Sequence, residues 1–219
     1  MTARFEIIKM PPPDTDTCSV LVSSGGLATI FDPWGPTDDW VKLLRERNLK
    51  LHALYCTHGH FDHILAVPDL AAMGVPWYMH PDDNPVIEWS NGIFRRYGAK
   101  TIDLQKIPPV PLTPGIMEVL PGLPAEVIHL PGHSAGGVAF YFDSIARDNA
   151  KAVPLLIIGD TLFQDSFGRT DVITGSDCAM KESLHKLAAR DFPPETVVIH
   201  GHGMDTTIEW LCENNPFLR

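Results

Sequence analysis

The heptapeptide THGHFDH, residues 57–63, carries three histidines and one aspartate. It directly follows the apolar run LHALYC, residues 51–56, which has the length and composition of a buried strand. A loop at the end of a strand is a place where polar side chains can converge on a cavity without disturbing the hydrogen bonds of the sheet. The heptapeptide is therefore predicted to be a metal-binding loop.

The spacing within this loop predicts two metal ions. His58 and His60 are two positions apart, so both side chains can reach one point from an extended turn. Asp62 and His63 are adjacent, so their side chains must diverge. A divergent pair suits a second centre a short distance from the first.

Three further ligand-type side chains stand at the ends of later apolar runs. His133 follows AEVIHL, Asp160 follows PLLIIG, and His202 follows TVVIH. Each of the three has a glycine beside it, which lets backbone and ligand approach an ion closely. A single histidine of this kind is usually an ordinary core or surface residue. Four potential ligands within six positions, together with three partners at strand ends, favour a metal centre instead.

If Asp160 bridges two ions, seven side chains complete two four-ligand shells. The first shell is His58, His60, His133 and Asp160, and the second is Asp62, His63, His202 and Asp160. Imidazole and carboxylate ligands suit zinc, and also iron or manganese. The cofactor prediction is accordingly two divalent metal ions, with zinc first. Asp62 and Asp160 are also predicted to act in catalysis.

Other residues have predicted supporting roles near this centre. His129 and His200 lie close in sequence to two of the ligands, and metal-bound imidazoles are usually oriented by an outer ring of hydrogen bonds. Arg169, in the loop after Asp160, could contact a substrate carboxylate or pair with Asp171 to hold the loop.

Composition limits the possible partners. The chain has 219 residues, is 44% apolar and carries a formal net charge of −10. Such a charge repels nucleic acid and anionic membranes, so a small-molecule substrate is expected. The N-terminus lacks the layout of a signal peptide, and no apolar run reaches the roughly 18 residues of a membrane span. The four cysteines form no C-x-x-C pair, so a cytoplasmic protein with reduced thiols is predicted.

The apolar pattern predicts an α/β fold with two strand-rich halves. Runs such as RFEIIKM, CSVLVSS and LATIFD in the first half, and GIMEVL, GVAFYF and PLLIIG in the second, are typical of strands. The stretches DWVKLLRERN and CAMKESLHKLAAR have helical spacing. We therefore expect two sheets face to face with helices outside. The proline-rich segment 84–114 between the halves is predicted to be a surface excursion without regular structure.

Taken in order, the motifs THGHFDH, PGHS, GDTLF followed by GRTD, and HGHG resemble the metallo-β-lactamase fold superfamily. The similarity runs from about Cys18 to the end of the chain, and short bacterial glyoxalase II-like (hydroxyacylglutathione hydrolase-like) enzymes are the nearest group. The resemblance implies an αββα sandwich of two mixed sheets as a single domain over residues 1–219. It also implies the same seven ligands, with the metals in a groove at one edge.

The resemblance further implies a metal-dependent hydrolase, most closely one that cleaves thioesters. Asp160 occupies a position where many zinc β-lactamases have cysteine, and the Asp62–His63 pair is complete, so antibiotic hydrolysis is disfavoured. Full-length hydroxyacylglutathione hydrolases continue into a C-terminal helical domain that supplies glutathione contacts. Little of that domain fits after His202, so the resemblance does not extend to those contacts.

Three alternatives stay open at the level of sequence. A persulfide dioxygenase has similar motifs and would bind a single iron through His58, His133 and Asp160. A lactonase would use the same hydrolytic chemistry on a different ester. A binding module without enzymatic activity would need only the fold, although the complete ligand set disfavours it.

Overall fold

The computed structural model describes residues 3–10, 15–147 and 150–218. Twelve strands and five helices alternate along this part of the chain. The strands are β1 Arg4–Ile8, β2 Ser19–Ser24, β3 Leu27–Phe31, β4 Lys50–Tyr55, β5 Trp77–Met79, β6 Val110–Pro111, β7 Gly115–Leu120, β8 Leu123–His129, β9 Val138–Arg147, β10 Ala152–Gly159, β11 Val197–His200 and β12 Thr206–Thr207. The helices are α1 Thr37–Glu46, α2 Val67–Ala72, α3 Asn84–Tyr97, α4 Asp177–Ala188 and α5 Ile208–Asn214.

Both faces of the central strands are buried, which explains their nearly continuous apolar sequences. In β2, Val20 and Val22 face the core between the two halves of the molecule, whereas Leu21 between them faces the opposite way. In β10, Leu155 faces the same inner core and Leu156 the outer side. The two-residue alternation of a strand thus places apolar side chains in two separate cores.

The inner core is dominated by aromatic rings at the centre of the sandwich. Phe31 stacks against Tyr55 at 5.3 Å between ring centroids and meets Phe140 edge-to-face at 4.9 Å. These rings come from β3, β4 and β9, so they join the first strand-rich half to the second. Ring pairs of this kind add about 1 kcal/mol each beyond the apolar area they bury.

Helices cover both outer faces of the sandwich. α1, α2 and α3 pack on the outer side of β2–β5, with Trp40, Leu70 and Phe94 in that core. α4 and α5 pack on the outer side of β8–β11, with Leu184 and Leu211 in that core. This order of layers confirms the predicted αββα sandwich with mixed strands.

The two halves are joined by hydrogen bonds as well as by packing. One continuous strand order runs β12-β11-β10-β9-β1-β2-β3-β4-β5-β6, with β8 and β7 attached beside β9. The link between halves is the short parallel pairing of β1 with β9. β3 and β4 are parallel, as are β10 and β11, so the carboxyl ends within each pair share one edge.

The prediction for segment 84–114 was wrong in its first part. Residues 84–97 form the 14-residue helix α3, which begins with Pro85 in its first turn and ends at Gly98 in the left-handed conformation. Proline near the start and glycine just after the end are ordinary helix signals. These signals were overlooked because the segment was interpreted as a whole, and its part after Gly98 is rich in proline. The helix buries five residues, Val86, Ile87, Ser90, Asn91 and Phe94.

Among the helices in the described ranges, none has both the length and the apolar character needed to cross a bilayer. The four cysteines are free: Cys18 and Cys56 are buried, and Cys178 and Cys212 are exposed.

Candidate metal centre

The structure brings the seven predicted ligands together at the ends of four strands. The loop after β4 carries four of them, the loop after β8 carries His133, Asp160 follows β10, and His202 follows β11. The four from the β4 loop are His58, His60, Asp62 and His63. Strands from both halves therefore contribute to one site, although the ligand roles themselves remain predictions.

Three histidines form the first cluster. His58, His60 and His133 are all buried, and each offers a ring nitrogen that lies within 4.8 Å of the others. His60 Nδ1 and His133 Nε2 are 2.8 Å apart. The rings of His58 and His60 are nearly perpendicular, with 4.8 Å between centroids. This arrangement directs several ring nitrogens towards one small volume.

The second cluster is formed by Asp62, His63 and His202, whose ligand atoms also lie within 4.8 Å of one another. His202 Nε2 is 3.5 Å from Asp62 Oδ2 and 3.4 Å from His63 Nε2. Asp62 and His63 therefore both face His202, although their adjacency in sequence predicted that the two side chains diverge.

Asp160 lies between the two clusters. Its Oδ1 is 3.4 Å from His63 Nε2, and its Oδ2 is 3.5 Å from His133 Nε2 and 3.4 Å from His202 Nε2. One carboxylate thus faces histidines of both clusters, which is the position that a bridging ligand requires.

The outer nitrogens of the ligand rings are held by hydrogen bonds. His133 Nδ1 donates to the Arg169 carbonyl at 2.8 Å, and His202 Nδ1 donates to the Thr15 carbonyl at 2.7 Å. A neutral imidazole that donates through Nδ1 has its lone pair on Nε2. These bonds therefore direct the Nε2 lone pairs of both rings into the site.

Asp32, at the end of β3, orients two more ligands. Its Oδ2 accepts from His63 Nδ1 at 3.0 Å and from the Thr57 hydroxyl at 2.7 Å. Because the Thr57 hydroxyl proton is used on Asp32, the Thr57 oxygen can accept from His58 Nδ1, which is 3.0 Å away. Asp32 has φ of +49°, a conformation that is costly for a residue with a side chain. Sequence reasoning missed this residue, although an aspartate directly after a buried strand is the same signal that identified Asp160.

Asp83 joins two ligand loops. This buried carboxylate accepts from Gly59 N at 2.8 Å, from the Ser134 hydroxyl at 2.9 Å and from Gly136 N at 2.6 Å. Gly59 separates His58 from His60, and Ser134 follows the third histidine of the first cluster. The sequence gave no clear signal for Asp83, since it sits beside an exposed aspartate in HPDDNP.

Two glycines are required by the close packing around Asp160. A Cβ on Gly201 would lie 1.8 Å from Asp160 Oδ1, and a Cβ on Gly168 would lie 1.8 Å from the Asp160 carbonyl oxygen. Neither distance is possible for a real side chain. These glycines therefore allow the loops to close around the carboxylate.

His58 and His60 are held in their neutral form. Burial lowers the pKa of His58 well below its usual value, and the neighbouring His63 adds to this shift. Burial also lowers the pKa of His60 to about 3, with a further contribution from His133. Neutral imidazole is the form that binds a metal.

Asp160 interacts electrostatically with two histidines of the second cluster, His63 and His202. Burial alone would raise the pKa of the Asp160 carboxyl, but His63 and His202 hold that pKa well below its usual range. Burial would likewise lower the pKa of His63, but Asp160 and Asp32 raise it well above its usual value. The hydrogen bond to Asp160 also raises the pKa of His202 against the effect of burial. This side of the site therefore favours positive charge.

The donor set fits divalent metal ions. In the described ranges, the buried His58 Nε2, His60 Nε2 and Asp160 Oδ1 have no hydrogen-bond partner, an arrangement that is costly without a ligand. Five imidazoles and two carboxylates, with thiolate absent from the cluster, suit zinc, iron or manganese.

The two histidines predicted to orient ligands support the loops instead. His129 Nε2 donates to the Ala135 carbonyl at 2.9 Å, and its ring stacks on His80 at 4.2 Å. His200 Nδ1 donates to the Leu162 carbonyl at 2.6 Å. Neither side chain hydrogen-bonds to a predicted ligand within the described ranges. They fix the backbone on which His133 and Asp160 are carried.

Arg169 pairs with Asp171, which is one of the two roles predicted for it. Its exposed guanidinium forms two bonds with Asp171, at 2.7 and 2.8 Å. Its backbone carbonyl orients His133, as described above. Direct contact of this arginine with a substrate stays a prediction.

The amino-acid sequence is similar to those of known proteins. A family model for the metallo-beta-lactamase superfamily matches residues 13–202. The probable metallo-hydrolase YqgX of Bacillus subtilis is 32% identical, covering 96% of both chains. The hydroxyacylglutathione hydrolase GloC of Haemophilus influenzae is 31% identical, covering 92% of both chains.

Solved structures agree in fold. The BLEG-1 B3 metallo-beta-lactamase is 31% identical with a TM-score of 0.78, and the match covers 98% of this chain and 99% of that one. The protein TTHA1623, in a di-iron-bound form, is 33% identical with a TM-score of 0.77, and the match covers 97% of this chain and 99% of that one.

Proposed function

Because this chain belongs to the metallo-β-lactamase superfamily of metal-dependent hydrolases, we propose that it binds two divalent metal ions and hydrolyses the thioester bond of a small acyl substrate. Zinc is the first choice of metal, and iron and manganese are the alternatives, since a relative of similar identity is described in a di-iron-bound form.

The observation that carries the proposal is the position of Asp160. Its two oxygens lie 3.4 to 3.5 Å from ring nitrogens of both histidine clusters. A site for one ion needs only the first cluster and one carboxylate oxygen. The second cluster of Asp62, His63 and His202 would then have no function, which is why two ions are favoured.

A bound divalent metal supplies Lewis acidity, which activates water and polarises an acyl carbonyl at neutral pH. The residues of the chain supply position and charge. Asp62 has a carboxylate that can accept a hydrogen bond from the attacking water and so orient it towards the carbonyl carbon. The Asp32 network and the carbonyls behind His133 and His202 prevent the ligand rings from rotating during the reaction.

The leaving group explains the preference for thioesters. Attack of water on the carbonyl breaks the C–S bond, and the sulfur leaves as a thiolate. A thiol has a pKa of about 8.5, so it can leave without a strong general acid, and the sequence offers no obvious one. The 31% identity to a hydroxyacylglutathione hydrolase supports this substrate class.

A substrate panel tests the proposal. The protein, reconstituted separately with zinc, iron(II) and manganese, would be assayed with S-lactoylglutathione, S-acetyl-N-acetylcysteamine, a γ-lactone and the chromogenic β-lactam nitrocefin. We expect the thioesters to have the highest kcat/KM with at least one metal. Faster cleavage of the lactone or of nitrocefin would overturn the thioester assignment. Oxygen consumption with glutathione persulfide, without thioester cleavage, would identify a dioxygenase instead.

A further inference from the structure

Three aromatic side chains contact one another in a row that starts at the first histidine cluster. Trp89 meets the ring of the predicted ligand His60 at 5.5 Å between centroids, inclined by 68°. Phe61 lies 6.4 Å from Trp89 and 6.4 Å from Trp34. We refer to Trp34, Phe61 and Trp89 as the aromatic wall. Trp89 both contacts the predicted ligand His60 and reaches solvent, with 41% of its side chain exposed, whereas Trp34 at the other end lies buried behind Phe61.

Trp89 is held firmly although it faces solvent. The next residue, Ser90, is fully buried, and its hydroxyl donates to the Gly59 carbonyl at 2.8 Å. One residue further, Asn91 is buried and exchanges two 2.8 Å hydrogen bonds with the backbone of Ile102. The helix that carries Trp89 is therefore tied directly to the loop between the first two ligands. A large apolar side chain fixed beside a reactive centre differs from an isolated exposed residue, which needs no explanation.

Beside His133 of the first cluster, the charge of Arg169 is already paired. Arg169 is joined to this cluster through its carbonyl bond with His133, but its guanidinium is already paired with Asp171. An anionic substrate would have to compete with this pair. An uncharged, flat group would instead find the accessible rings of the aromatic wall, Trp89 and Phe61, where stacking at 4.5–7 Å is favourable.

We propose that the aromatic wall binds the acyl group of the substrate and that the enzyme acts on thioesters of aromatic acids in preference to thioesters of small aliphatic acids. This inference rests on the proposed thioesterase function. Trp89 determines specificity by contacting the acyl ring, while the ligand cluster acts on the carbonyl carbon next to it. The reaction itself is unchanged: water adds to the carbonyl, the C–S bond breaks, and a free aromatic carboxylate and a thiol are released.

The test compares two substrates that differ only in the acyl group. S-benzoyl- and S-acetyl-N-acetylcysteamine share one leaving group, and their intrinsic reactivities are the same for every variant, so the change in their kcat/KM ratio between wild type and variant measures recognition of the acyl group. We expect Trp89→Ala to lower kcat/KM for the benzoyl thioester about tenfold, which is about 1.4 kcal/mol, and to change the acetyl value less than about twofold. Trp89→Phe should retain most of the benzoyl activity.

The matched control is Tyr97→Ala, which removes another aromatic side chain from α3, 79% exposed at the far end of the helix. It should leave both values unchanged. An unchanged benzoyl-to-acetyl ratio in Trp89→Ala, with thioesters still hydrolysed, would overturn the inference and leave the proposed function intact.

A binding measurement decides the inference without turnover. The dissociation constant of benzoate, with acetate for comparison, would be measured by NMR titration of the metal-loaded protein. We expect benzoate to bind more tightly than acetate and Trp89→Ala to weaken benzoate about tenfold. Equal benzoate affinity in wild type and Trp89→Ala, or no benzoate binding by wild type, would overturn the proposal even if neither thioester is cleaved. If wild type cleaves neither thioester but its benzoate binding depends on Trp89, the proposed reaction is overturned and the inference about the aromatic wall is not.

Discussion

At the scale of single residues, Asp160 is the side chain on which the site depends most. Its oxygens face ring nitrogens of His63, His133 and His202, so one carboxylate connects the two clusters. Its charge raises the pKa of His63 and of His202, and those rings in turn hold its own pKa low. Removing it would leave two groups of ligands without the negative charge they share.

We therefore expect Asp160→Ala to lose more than about a hundredfold in kcat/KM and to bind less than one equivalent of metal. Steady-state kinetics and elemental mass spectrometry would measure the two effects. The control is Asp165→Ala, an exposed aspartate five positions later, which should behave as wild type. Full activity in Asp160→Ala would contradict the two-metal account.

A second residue-scale prediction concerns pH. Burial, followed by the effect of the stacked His129, lowers the pKa of His80, and Asp82 only partly offsets this. As the pH falls below about 6.5, the unfolded chain therefore takes up this proton before the folded chain does. The free energy of unfolding therefore falls as the pH drops from the unfolded pKa of His80 towards its lower pKa in the folded chain.

Urea unfolding of metal-free protein at pH 7.5 and pH 5.5 would measure this loss. Over this range, wild type should lose more free energy of unfolding than His80→Gln. The difference is at most about 1.4 kcal/mol, because pH 5.5 lies about one unit below the pKa of histidine in the unfolded chain. His52→Gln, on the exposed side of β4, should show the wild-type dependence. Identical slopes for wild type and His80→Gln would show that the folded chain does not disfavour the proton.

The convergence of the seven candidate side chains was predictable from sequence, because few other arrangements place so many imidazoles and carboxylates at strand ends. Asp32 was equally accessible to that argument and was overlooked. Asp83 could not be predicted in this way. Its role depends on hydrogen bonds to Ser134 and Gly136, which lie 51 and 53 positions later in the chain. A residue that acts only through tertiary contacts leaves no local pattern.

At the scale of elements, the strands were predictable and α3 was not. Strands buried on both faces are continuous apolar runs, which the sequence displays directly. α3 buries only one side and exposes Trp89 and Tyr97 on the rest. Its apolar face includes the polar residues Ser90 and Asn91, each satisfied by a specific backbone partner. Those partners become visible only in the folded chain.

The short 3₁₀ turn Pro81–Asp83 before α3 leads to a prediction about how loops are joined. Asp83→Ala would leave three donors without an acceptor, at Gly59, Ser134 and Gly136. At about 1 kcal/mol or more for each buried unpaired group, we expect a loss of about 3 kcal/mol. Metal affinity should also fall about 10- to 100-fold, because the loops carry ligands.

Urea denaturation and competition with a chelator would measure these two quantities. The neighbouring Asp82→Ala removes a largely exposed carboxylate and should change stability by no more than about 0.5 kcal/mol. If Asp83→Ala and Asp82→Ala behaved alike, the joining of the two loops by Asp83 would be refuted.

At the scale of the whole molecule, the metal centre spans the two halves of the sandwich. The β4 loop belongs to the first half, and the loops after β8, β10 and β11 belong to the second. The segment before β2 also reaches the site, since the Thr15 carbonyl accepts from His202 and Thr17 pairs with His202 in an isolated bridge. Metal bound here would hold both halves and this segment together.

We therefore expect chelation to destabilise the fold. A ligand present at 1,000 times its dissociation constant stabilises the folded state by about 4 kcal/mol, and each kcal/mol corresponds to about 2–4 °C in a chain of this size. Calorimetry with and without EDTA should show a fall in Tm of about 10 °C that added zinc reverses. Asp160→Ala should show a much smaller fall. An unchanged Tm in wild type would mean that the fold does not depend on metal.

The number of metal ions per chain tests the central claim most directly. Elemental mass spectrometry on protein produced without metal supplementation would give this number together with the identity of the ions. The two-metal account predicts about two equivalents of zinc, or of zinc mixed with iron and manganese, consistent with the two clusters around Asp160. One equivalent of iron with no second metal would contradict it and favour a mononuclear enzyme that uses His58, His133 and Asp160.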